Sequence, residues 1–107
     1  MKMILAIIHP DDANIAINSL MQEGYHVTKL ATTGGFLRAG NTTILLGTED
    51  ERVEHAIEII KENSHSRMQV VPSTGSNITG LYPPTPVEVP VGGATLFVLN
   101  VEQFERV

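Results

Sequence analysis

A chain of 107 residues, 42% hydrophobic and 18% charged, has room for one core of the ordinary globular kind and reads as a single domain over 1–107. It has no cysteine, which excludes disulfides, thiolate metal sites and thiol nucleophiles. The formal charge of −5 weighs against general nucleic-acid binding, and no apolar run approaches the roughly 20 residues of a membrane span, so a cytoplasmic location without membrane insertion is expected.

KMILAIIH, at 2–9, is apolar on both faces, as a central sheet strand should be. Pro10 and Asp11 open a helix, with Asp11 or Asp12 as its N-cap. Ala13, Ala16, Ile17, Leu20 and Met21 form one apolar stripe, and Gly24 takes the position just past the helix end. YHVTKLATT, at 25–33, alternates and is rich in β-branched residues, the mark of a strand; TTILLGT, at 42–48, is the next. Thr48 and Glu51 have capping-box spacing ahead of a second helical stripe through Val53, Ala56, Ile57 and Ile60. RMQVV, at 67–71, reads as a strand, and 72–86 as a long loop rich in Pro, Gly, Ser and Thr. VEVPV, at 87–91, is a short extended piece that Pro90 marks as an edge, and ATLFVLNV, at 94–101, is again core strand.

The order β-α-β-β-α-β, with extra short strands before the last, predicts an α+β fold of the ferredoxin-like kind. Each helix carries a single apolar stripe, so both cover the same sheet face. MILAII and TLFVL are apolar on both sides, which leaves the other face to be buried by oligomerisation.

Charge and glycine patterns each have a plain structural reading and, beside it, a ligand-binding one. No acid lies between Glu23 and Glu49, a gap that holds His26, Lys29 and Arg38; a second gap, from Glu62 to Glu88, holds His65 and Arg67. Acids gathered on solvated helix faces account for this pattern by themselves; the sharper alternative is that both gaps face one anionic ligand, from which acids must be cleared. TTGGFLRAGN, at 32–41, is a near miss to a P-loop: Asn41 stands where lysine belongs, and a strand follows rather than a helix, which excludes a nucleotide hydrolase of that type. What remains is either a structural hairpin loop or a glycine-rich backbone that approaches a ligand closely, with Arg38 and Asn41 as donors. VGGAT, at 91–95, offers a second such surface or a simple bend. The histidines at 9, 26, 55 and 65 lack metal-ligand spacing, so no metal is expected, and no nucleophile motif or carboxylate pair supports an enzyme.

TKLATTGGFLRAGNTT, at 28–43, together with PVEVPVGGATLFVL, at 86–99, resembles the PII-like cyclic di-AMP receptors of Gram-positive bacteria, and the opening MKMILAI extends the likeness over nearly the whole chain. The resemblance implies a homotrimer with its sheets facing inward, no catalytic activity and no resident cofactor. It implies cyclic di-AMP in clefts between subunits, and loops that rearrange to signal to a downstream protein whose identity does not transfer. Relative to PII proteins proper, the loop at 34–41 is short and that at 72–86 long, which argues against ATP and 2-oxoglutarate as ligands. The family's nucleotide contacts fall on Thr28, Phe36, Leu37, Asn41 and Gly47, with Gly92 and Gly93 nearby and Arg38 inside the matched string. His26 stands where the family pattern has arginine, so a mostly neutral ring replaces a fixed charge at the ligand. The alternative is a PII-like regulator that takes another adenine nucleotide or acts only through protein contacts.

Overall fold

In the computed structural model the described residues are 1–30, 41–72 and 86–107. Two helices lie on a four-stranded antiparallel sheet, in an α+β arrangement. The strands are β1 (Lys2–Ile8), β2 (Val27–Leu30), β3 (Thr42–Thr48), β4 (Arg67–Pro72), β5 (Pro86–Val91) and β6 (Ala94–Asn100); the helices are α1 (Pro10–Gln22) and α2 (Val53–Ser64). The main sheet runs β2-β3-β1-β6, which is the ferredoxin-like order with β6 as the fourth strand. β1 sits centrally, as its two apolar faces require.

Register decides which side chains share a face. Ala6 lies between Ile44 and Leu96, and Ile4 between Leu46 and Val98. Ile4, Ala6, Ile8, Ile44 and Leu46 are buried with Ala16 and Leu20 of α1 and with Val53, Ala56, Ile59 and Ile60 of α2. The opposite face carries Met3 beside Leu99 and Leu5 between Leu45 and Phe97. Phe97 is 45% exposed and Leu99 44%, so apolar surface is left open where the helices do not reach.

The helix ends refine the expected boundaries. The N-cap of α1 is His9, not Asp11 or Asp12: Pro10 takes the first helical position, where its fixed φ and missing N–H fit, and that puts the cap on the residue before it. The His9 Nδ1 accepts from the Asp11 N–H at 3.2 Å. Asp11 and Asp12 occupy the first turn, where the helix dipole favours acids. At the other end Gly24 has φ +88°, the Tyr25 N–H donates to the Leu20 carbonyl at 3.1 Å, and the Gly24 N–H to that of Met21 at 3.0 Å. This is a Schellman closure, and it takes Tyr25 out of the strand expected at 25–33 and packs its ring in the core. The part of that strand beyond Leu30 lies outside the described residues.

The Thr48–Glu51 capping box does not form. Thr48 still pairs with Lys2 in the sheet, and a single 3-10 turn at Asp50–Arg52 carries the chain into α2, whose N-cap Arg52 makes no side-chain cap. β5 pairs with β4 in a separate two-stranded ribbon, with Pro90 opposite Met68. In a two-stranded ribbon alternate N–H groups point outward, so a residue that cannot donate is tolerated there.

Candidate functional site

Two recesses gather most of the described residues singled out from the sequence. They lie at opposite ends of β3. The larger, about 430 Å³, is lined by Ile7, His9, Asn41, Pro90, Val91, Gly92, Gly93, Ala94 and Thr95. Asn41 enters it from the residue before β3, and Gly92 and Gly93 from the turn joining β5 to β6. Both glycines have positive φ, +82° and +77°, which L side chains rarely adopt. At Gly92 space is closed as well: a Cβ would stand 2.6 Å from Arg67 Nη1 and 2.7 Å from the His65 carbonyl oxygen. Gly92 therefore lets the Arg67 guanidinium lie against bare backbone at the turn that borders the recess.

The smaller recess, about 220 Å³, is lined by Met1, Met3, His26, Thr28, Leu45, Leu46, Gly47, Val101 and Phe104. Thr28 and Leu45 are direct partners across β2 and β3 on the open sheet face, and Met3 and Gly47 are partners across β1 and β3. Gly47 differs from Gly92. A Cβ there would meet only the tip of the Met1 side chain, at 3.1 Å, and the Lys2 carbonyl at 4.0 Å. Since a Met tip moves easily, backbone packing does not demand glycine at 47; its effect is to leave the floor of the recess open. His26 and Gly47 also border neighbouring hollows that contain Arg106 on one side and Arg52 on the other. Arg52 is held in place, with its guanidinium 4.1 Å over the Tyr25 ring and its Nη2 donating to the Glu23 carbonyl at 2.6 Å. The Tyr25 hydroxyl donates back to the Arg52 carbonyl at 2.9 Å.

Electrostatics at each end is set by one well-formed pair. Near the smaller recess the Met1 ammonium lies 2.9 Å from Asp50, and its hydrogen bond holds the Asp50 carboxyl below the usual carboxylate range. A lowered carboxyl contributes stability above its unfolded value and loses it as pH falls through the folded one, so the carboxylate's share of this contact is lost in acid. Near the larger recess Arg67 Nη1 lies 3.0 Å from Asp12 Oδ2, and that hydrogen bond raises the arginine further above its ordinary value.

The sequence-predicted residues thus fall into two groups, Asn41 with Gly92 and Gly93, and Thr28 with His26 and Gly47. Phe36, Leu37 and Arg38 lie outside the described residues. Among the described residues no group of three or more potential metal ligands assembles. The sequence reading missed His9, which lines the larger recess because Pro10 fixes it at the helix mouth. It also missed Phe104, which follows the last strand in a segment with no periodicity to reveal its position.

A solved structure of a functionally unknown protein from Pediococcus pentosaceus ATCC 25745 is similar, with 42% identity and a TM-score of 0.75, covering 99% of this chain and 96% of that one. A family model described as "Cyclic-di-AMP receptor" matches residues 1–107, the whole chain. The protein belongs to the cyclic-di-AMP receptor family.

Proposed function

We propose that the protein is a trimeric receptor that binds cyclic di-AMP in clefts between subunits and passes occupancy to a partner protein through residues 72–86. The observation that carries this reading is the family match over the full length. The two recesses support the intersubunit part. Asn41 and Gly47 bracket a strand that rises about 3.3 Å per residue, which separates the recesses by roughly 20 Å. A ligand that uses both groups is better served by one recess from each of two copies. The open face with Phe97 and Leu99 supplies the apolar surface on which those copies would meet.

Within such a cleft the glycines expose backbone N–H groups to phosphate, Asn41 reads a base edge or bonds a phosphate, and Thr28 adds a hydroxyl. Phe36 and Leu37 offer apolar surface to adenine, and Arg38 meets a phosphate or the neighbouring subunit. Receptor chemistry of this kind needs no catalytic group.

Calorimetric titration with cyclic di-AMP, cyclic di-GMP, ATP and AMP tests the reading. Selective saturable binding of cyclic di-AMP is expected. Preference for ATP or AMP assigns the site to another adenine nucleotide, and no binding by any of the four leaves protein contact as the function.

A further inference from the structure

Asp12 and Arg67 meet where both walls of the larger recess are anchored. Asp12 is in the first turn of α1, its side chain only 10% exposed, and its N–H donates to the His9 carbonyl at 2.9 Å. His9 is one wall of the recess. Arg67 is the first residue of β4, pairs with Val91 across the ribbon, and lies against Gly92, the other wall. A single 3.0 Å contact between Arg67 Nη1 and Asp12 Oδ2 therefore joins the helix mouth, the base of the ribbon and the glycine turn. β4 and β5 pair with each other and not with the main sheet. Among the described residues, this contact is the side-chain hydrogen bond that ties the ribbon to the rest of the molecule. A carboxylate this buried depends on its cation, since an unpaired charge there is heavily penalised.

We propose that the Asp12–Arg67 pair is a positioning device for ligand binding: it sets the spacing between the His9 and Gly92 walls and couples occupancy of the recess to the β4–β5 ribbon. The proposal rests on the reading of this recess as part of the cyclic di-AMP site. Any ligand that presses on the Gly92–Gly93 backbone presses also on the guanidinium behind it. Arg67 is 40% exposed on its solvent side and held by Asp12 on the other, so a push on the guanidinium strains that pair and, through it, the first residue of the ribbon.

The test uses the whole protein, Asp12→Asn, Arg67→Gln and the double variant. Cyclic di-AMP affinity is measured by calorimetry, and amide exchange is followed with and without saturating nucleotide. In the parent, nucleotide is expected to change exchange in 67–72 and 86–91. Each single variant is expected to bind about tenfold more weakly, in the range of couplings between linked sites, and the double variant no more weakly than either. At saturation the variants' ribbons no longer respond, while amides in 2–8 and 42–48 keep their protection. Ribbons that respond as in the parent, single effects that add, or loss of main-sheet protection in the free variants each overturn the positioning role. If the parent itself binds no cyclic di-AMP, the functional reading falls first and the proposal with it, a result distinct from a parent that binds and variants that match it.

Discussion

Gly47 and Gly92 both border a recess, yet a methyl group would do different things at each. At Gly92 it would force an L side chain to φ +82° and collide with Arg67 and the His65 carbonyl. Gly92→Ala should cost about 1–2 kcal/mol from the left-handed backbone alone, with more from the collision, and calorimetry should show a lower thermal midpoint. At Gly47 only the Met1 tip must move, so Gly47→Ala should melt close to the parent. It should weaken cyclic di-AMP binding by about 1 kcal/mol, the scale of one methyl group in a fitted pocket. Normal affinity in Gly47→Ala would separate that recess from the ligand. His26 sets a further residue-level expectation. It is exposed beside Thr28 and Gly47, where the family pattern has arginine with its planar fork of donors. His26→Arg adds a fixed charge and further donors and should bind cyclic di-AMP more tightly, as calorimetry would read. Coincident affinity curves for the two proteins would remove His26 from the site.

At the scale of elements, the strands were legible wherever alternation or a run of apolar residues fixed them. TTILLGT became β3 with the expected bounds, and ATLFVLNV became β6 to within a residue. Helix starts were less legible, because cap choice depends on three-dimensional competition. Pro10 made His9 the cap of α1, and the 3-10 turn at Asp50–Arg52 put Arg52 rather than Thr48 at the start of α2. The end of α1 was plain, since few residues other than glycine close a helix at positive φ. A Cβ on Gly24 would find open space apart from Arg52 at 4.0 Å, so Gly24→Ala isolates backbone strain. It should cost about 1 kcal/mol, or about 4–8 °C in a small domain. An unchanged midpoint would show that the Schellman closure adds nothing to stability.

At the scale of the whole molecule, the apolar periodicity showed that two single-stripe helices leave one sheet face uncovered, and Phe97 and Leu99 stand on it. The sequence marked His26, Thr28, Asn41, Gly47, Gly92 and Gly93 together, as residues of one ligand site. It could not show that β3 holds Asn41, Gly92 and Gly93 apart from the other three, because distance along a strand emerges only once register is known. That Asp12 pairs with Arg67 was hidden for a related reason: the two lie 55 residues apart in the sequence. If the open face joins copies, Phe97→Glu should place a charge in that contact and yield a folded monomer by sedimentation, with unchanged far-ultraviolet dichroism and no nucleotide binding. A Phe97→Glu protein of unchanged mass would put the contact elsewhere.

Native mass spectrometry of the protein with and without cyclic di-AMP bears most directly on the proposed function. The predicted result is a trimer in both samples that takes up cyclic di-AMP until every subunit interface is occupied, with none on any residual monomer. Cyclic di-AMP carried by the monomer, or a trimer that takes up none, would contradict a receptor whose site is built between subunits.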